Sequence, residues 1–180
     1  NMLVAYYNIL LILTGDLNSS ILGPDADKSS DDVGMIQAFL LTGDALKHRA
    51  IWFMGDGFVE SVDINLDGTP LLMQLLQVRL REASYLRLSG NIAQCPDLVT
   101  TPTITTNGDL YGIRNLCTFT NDVLLTNGTD ASAATFYSPV GANPALAPYI
   151  SGVFKAAVGP NYWQALTDGW NITNVRSRLC

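Results

Sequence analysis

The apolar positions of this chain fall into short, separate runs instead of one long periodic stretch. From Tyr6 to Thr14 they do not alternate with polar ones, which predicts a fully buried strand. Gly15-Asp16 ends that run, and a polar loop rich in Asp and Ser follows to about Asp31. Val33, Ile36, Phe39 and Leu40 then recur at helical spacing, predicting a helix from Asp32 to Leu41. Ser29, Ser30 and Asp31 are its candidate N-caps, and Gly43 is a natural C′ stop. The stretch from Ala50 to Ser61 (Ala-Ile-Trp-Phe-Met-Gly-Asp-Gly-Phe-Val-Glu-Ser) reads as a buried strand leaving its sheet through a Gly-Asp-Gly turn with Asp56 at the tip. Strand, helix and strand in this order call for a parallel pair with a right-handed crossover. In open α/β sheets, sites lie at the carboxyl ends of such strands, which is where Asp56 falls.

Further on, Pro70, Leu72, Leu75, Leu76, Arg79 and Leu80 predict a long helix from about Thr69 to Leu86. Four β-like segments follow, at Tyr85 to Leu88, Leu98 to Thr105, Asp122 to Thr126 and Ala133 to Ser138, broken by Gly, Pro and Asn. A short helix is expected from Ala147 to Ala157. Tyr162 to Leu166 and Gly169 to Ile172 read as a strand or hairpin, and Thr173 as the cap of a last helical turn. No repeat or low-complexity linker divides the chain. The expectation is one α/β domain over residues 1–180, a mostly parallel sheet flanked by helices with an irregular β-rich C-terminal half.

Composition narrows the function classes. At 180 residues, 48% apolar and 14% charged, the chain is long enough for one substantial core and is neither disordered nor a coiled coil. Acids outnumber bases 16 to 10, giving a net charge of −6 without a basic stripe, which argues against nucleic acid. The apolar run from Ile9 to Leu13 is far short of the roughly 20 residues a bilayer needs, so no transmembrane segment is predicted. Lys28 is the first cation, so the basic start of a signal peptide is missing. Three cysteines, Cys95, Cys117 and Cys180, show no CxxC spacing. Cys95 and Cys117 flank a Thr-rich segment as a loop-closing disulfide would, implying an oxidising compartment and leaving Cys180 odd; three free thiols is the alternative.

Candidate chemistry is sparse. Asp63, Asn65, Asp67 and Gly68 match the first half of a calcium loop, but Gln74 stands where the bidentate Glu belongs. They form either a weak calcium site or an Asx-rich connection that binds nothing. Asp16, Asp56 and Glu60 fall where successive carboxyl-end loops come together, and paired carboxylates do acid–base work or hold a metal; loop and helix capping explains them equally. His48 lies at the other end of its strand and is the only histidine, so Ser-His-Asp and Cys-His chemistry have no proton carrier. Asn18, Asn127 and Asn171 open glycosylation sequons. Tyr149, Tyr162, Trp163 and Trp170 are either core aromatics or a sugar-binding platform.

Thr14-Gly-Asp16, the Asp-rich helix start and Ile-Trp-Phe-Met-Gly-Asp-Gly-Phe together resemble the class I glutamine-amidotransferase-like, flavodoxin-type α/β fold. The likeness covers about residues 6 to 90, and is most similar to uncharacterised domains of large secreted or surface proteins of bacteria. The resemblance implies a flavodoxin-like scaffold. In the catalytic family a cysteine nucleophile occupies the turn where Asp56 stands, and a downstream His–Glu pair serves it; this chain has neither that cysteine nor a later histidine. It further implies earlier strands before Tyr6, so that residues 1–180 are a piece of a longer extracellular protein. Three readings result. The first is a non-enzymatic structural, assembly or adhesion domain of a secreted or surface protein, with itself or neighbouring domains as partners. The second is a divergent hydrolase or metal-dependent enzyme using Asp16, Asp56 and Glu60, and the third a calcium-dependent carbohydrate-binding module. A Cys95–Cys117 bridge predicts that thiol labelling of the denatured chain marks one cysteine before reduction and all three after it; three labels before reduction would exclude the bridge.

Overall fold

The computed structural model describes residues 2–17, 22, 31–63, 74–85, 97–100, 115–116, 121–138, 149–172 and 175–176. A short helix α1 (Met2–Tyr6) leads into strand β1 (Ile9–Gly15), helix α2 (Asp32–Leu41), strand β2 (Arg49–Gly55) and helix α3 (Phe58–Asp63). Strands follow: β3 (Val78–Glu82), β4 (Asp97–Thr100), β5 (Asn115–Leu116), β6 (Val123–Thr126), β7 (Ala131–Ser138), β8 (Tyr149–Ala157), β9 (Trp163–Asp168) and β10 (Val175–Arg176). Six of them form one sheet in the order β1-β2-β9-β8-β7-β4, while β3–β6 and β5–β10 form two-stranded sheets.

The parallel pair expected around α2 is present, with Leu11 opposite Trp52 and Ile12 opposite Phe53. The mostly parallel, helix-flanked, flavodoxin-like sheet is not. β9 runs parallel to β2, but β8, β7 and β4 then add antiparallel to one another. The β-rich C-terminal half thus completes the same sheet, returning strand by strand without the helical crossovers a parallel sheet needs.

Asp31 is the N-cap of α2, its carboxylate accepting from the Gly34 amide at 2.8 Å. Val33, Ile36, Phe39 and Leu40 are the buried face, as their spacing requires. They pack with Phe58, Val59 and Val62 of α3 on the sheet face made by Ile51, Phe53, Val153, Trp163 and Ala165. The Phe53 and Phe58 rings stack 4.4 Å apart within this core. Gly43 does serve as C′, but its requirement is space: a Cβ there would lie 2.0 Å from the Tyr162 carbonyl oxygen. Arg49, 2% exposed, ties α1 to the sheet through the carbonyls of Tyr7 and Val4 and the Asn8 side chain, and it lies over the Phe39 ring.

Four local readings change. β1 is an edge strand, not a fully buried one: Ile9, Leu11 and Leu13 are 71%, 56% and 55% exposed. The helix expected to Leu86 stops by Leu76, because Gln77 takes a left-handed φ of 53° and Val78–Glu82 pairs with β6. Ala147 to Ala157 is not helical from Tyr149 onward; those residues form β8, held on both sides by β7 and β9, so tertiary pairing overrides local preference. Gly169 to Ile172 leaves the sheet as a bend. Residues 101–105, 86–88 and Thr173, parts of other expected elements, lie outside the described residues.

Among the described residues, α2 and α3 cover one face of the sheet. On the other face the register aligns Leu11, Trp52, Leu166 and Phe154 across β1, β2, β9 and β8. Trp52, Leu166 and Phe154 are half-buried there, and Leu11 is exposed. At the carboxyl end of this region a second core forms from Met54, Tyr85, Val123, Tyr137, Tyr149 and Trp170. Gly43→Ala is expected to destabilise the fold by about 1–3 kcal/mol, the usual cost of overpacking, because backbone must move. Urea denaturation checks this, and an unchanged midpoint would contradict the packing at Tyr162.

Candidate functional site

The three parallel strands all end on an aspartate beside a glycine: Gly15-Asp16, Gly55-Asp56-Gly57 and Asp168-Gly169. The register sets Gly15 opposite Gly55 and Met54 opposite Asp168, so these ends form one carboxyl edge. Gly55 is needed because a Cβ would come within 1.8 Å of Thr14 Oγ1. The Asp56 amide donates to the Gly15 carbonyl at 3.1 Å, fixing the turn against β1. Beyond β9, the Gly169 amide donates to the Ser151 carbonyl at 2.9 Å. The Gly169 carbonyl accepts from the Asp122 amide at 2.8 Å and lies 2.9 Å from the Tyr137 hydroxyl. That hydroxyl is also 3.0 Å from the Asp122 carbonyl, so its single proton is shared between two backbone acceptors.

Of the predicted acids, Asp56 is 4% exposed and Glu60, in the first turn of α3, is half-buried. Both face Asp122, which is 0% exposed. Asp16 is exposed and accepts from the Asn171 side-chain amide at 2.7 Å, next to Gly15, whose carbonyl takes the Asp56 amide. Asp168, 0% exposed, accepts from the Trp52 indole at 2.6 Å. Burial, then the charges of Glu60 and Asp56, push the Asp122 carboxyl well above the usual carboxylate range. Burial likewise raises the Tyr137 hydroxyl well above its ordinary value, with Asp122, Asp168 and Asp56 adding to the effect. Tyr85, whose ring lies 5.1 Å from that of Tyr137, is pushed up to about 12 by burial and by Tyr149. The edge therefore holds neutral hydroxyls and crowded acids.

The calcium reading loses its first ligand. Asp63 forms an ion pair with Arg79 at 2.6 Å and accepts from the Leu80 amide at 2.8 Å, so it joins α3 to β3. Asn65 and Asp67 lie outside the described residues, as do Cys95 and Cys117. Among the described residues no group of three or more His, Cys, Asp or Glu side chains is arranged to hold a metal ion. The aromatic platform is not assembled either. Trp163 belongs to the helix-covered core, Trp170 and Tyr149 to the second core, and Tyr162 stacks on exposed His48 at 5.3 Å. Asn171 is 6% exposed and bound to Asp16, so the folded chain does not offer that sequon to a glycosylating enzyme.

Asp122, Asp168, Trp52 and Tyr137 were not among the sequence candidates, and Asn171 was one only as a sequon. Asp168 carried a readable signal, since Thr167-Asp-Gly repeats the pattern of a strand ending in Asp and Gly. Asp122 carried none, because bonds to Gly169 and Tyr137, distant in the chain, hold it at this edge. Compared with family models, curated proteins and solved structures, the chain matches none. Trp52→Phe removes the indole donor from a buried carboxylate, and should cost about 1–3 kcal/mol in urea denaturation. An unchanged stability would show that this bond contributes nothing.

Proposed function

We propose that the chain is a non-enzymatic structural or assembly domain of an extracellular or cell-surface protein, and that it docks on a second copy of itself through β1 and the uncovered sheet face. The observation that carries this reading is the row Ile9, Leu11 and Leu13, 71%, 56% and 55% exposed on the outermost strand of the six-stranded sheet. Edge strands are normally blunted by charge, proline or a bulge pointing outward, since their open backbone groups recruit other strands. No charged residue or proline occurs before Asp16. Half-buried Leu166 and Phe154, with Trp52 between Leu11 and Leu166, continue this row across the sheet. A contiguous apolar face of this kind marks an interface.

Charge supports a second copy as occupant. With a net charge of −6, two copies repel over most approaches, and this uncharged face lets them meet at least electrostatic cost. The acid-based enzyme reading has less behind it, because Asp16 is engaged by Asn171, while Asp56 and Glu60 are the acids that act on buried Asp122. Among the described residues no helix is long and apolar enough to cross a membrane.

The native mass of the purified chain tests the reading. A dimer or larger assembly is expected, and Leu11→Lys, placed on an exposed position, should convert it to a folded monomer. A wild-type monomer at every concentration up to the limit of solubility would overturn the proposal.

A further inference from the structure

The backbone around Asp122 is fixed on three sides. The Tyr85 amide donates to the Asn121 carbonyl at 2.8 Å, and the Asp122 amide donates to Gly169 at 2.8 Å. The Tyr137 hydroxyl lies 3.0 Å from the Asp122 carbonyl. Gly169 presses on the residue: a Cβ there would be 2.9 Å from the Asp122 Cβ. The side chain is 0% exposed, and among the described residues neither carboxylate oxygen has a hydrogen-bond partner. The Glu60 amide, which favours the charged form, does not reach hydrogen-bonding geometry with either oxygen.

The groups that face it are acidic or neutral: Glu60 from α3, Asp56 from the β2–α3 turn and Tyr137 from β7, which in turn faces Asp168 of β9. Cations are engaged elsewhere among the described residues. Arg79 is on Asp63, Lys155 on Asp130, Arg49 on the carbonyls of α1 and its following residue, and Arg81 over the Tyr149 ring. A charged carboxylate with no cation or donor among the described residues is costly inside a protein, and the main-chain bonds just named hold its backbone at the closed edge.

We propose that Asp122 is a proton-binding site: a carboxylic acid kept neutral at the closed carboxyl edge, whose ionisation loosens the β3–β6 pair from the six-stranded sheet. Loss of the proton places a negative charge beside Asp56 and Glu60, and the simplest relief is outward movement of the Asn121–Asp122 corner. That corner carries β6, and β6 carries β3 through their pairing from Val78 to Glu82. The edge is then a device that tightens on acidification and relaxes as pH rises.

The direction follows from linkage. The folded chain holds this proton at pH values where the unfolded chain has released it. Its contribution is therefore complete below the ordinary carboxylate range and is lost as pH rises toward the raised value in the fold. For one proton, the unfolding constant rises about tenfold per pH unit within that window.

The test is urea unfolding of the full chain from pH 4 to pH 8, for wild type and Asp122→Asn, which keeps the size of the neutral acid. The wild type should weaken relative to the variant by about tenfold in the unfolding constant for each pH unit through the window, leaving the variant the more stable at pH 8. A constant difference between the two at all pH values would mean a purely structural role and would overturn the proposal. Infrared spectra of wild type with carbon-13-labelled Asp give a second readout if the variant does not fold. A protonated carboxyl band at neutral pH that disappears on basification supports the assignment, and its absence refutes it.

Discussion

Much of the carboxyl edge hangs on the backbone of Asp168–Gly169. Its amide and carbonyl reach Ser151, Asp122 and Tyr137 within 2.9 Å, and the Asp168 carboxylate takes the Trp52 indole. Strands β2, β7 and β8 and the start of β6 therefore meet at a single bend. β9 is also where pairing changes from parallel to antiparallel, so the same two residues close both halves of the sheet. A side chain on Gly169 is excluded by contact with the Asp122 carbonyl oxygen at 2.5 Å. The junction works because the Gly169 and Asp122 amides and the Tyr137 hydroxyl find backbone acceptors and the Trp52 indole finds the Asp168 carboxylate, which lets an apolar core form beside it.

That closure gives the edge the strand ends of an α/β site with a filled interior. Successive parallel strands do bring acids together, as such sheets commonly do. Here Tyr85, Tyr137, Tyr149 and Trp170 form an apolar core beside them, and the buried Asp122 carboxylate has no hydrogen-bond partner among the described residues. The exposed apolar row lies elsewhere, on β1 at the side of the sheet. Lys155, 7% exposed on β8, shows the alternative solution for a buried charge, reaching Asp130 at 3.0 Å.

Sequence patterning reads well where local periodicity and burial agree. Helix α2 falls on its expected residues because its four apolar positions lie on one turn-spaced face and Asp31 can cap it. The β1–β2 pair is legible for the same reason. Beyond Gln77 the local signals mislead: Leu75, Leu76, Arg79 and Leu80 fit a helix, yet one left-handed residue redirects the chain into β3. Tyr149 to Ala157 has no strict alternation, since β8 is a central strand contacted on both faces along much of its length. The failed flavodoxin-like expectation comes from extending a parallel pair across a half whose strands return antiparallel. At the site, Asp56 was legible from its turn, and Asp122 was not, because its position depends on contacts far apart in the chain.

Amide hydrogen exchange is the most direct test of the claim that the Asp168–Gly169 bend locks the edge. The amides of Asp122 and Gly169 should exchange only through global unfolding, with the same protection as Ile51 and Phe53 at the centre of β2. Rapid exchange at Asp122 and Gly169, comparable to the exposed turn at Leu46, while Ile51 and Phe53 stay protected, would contradict it.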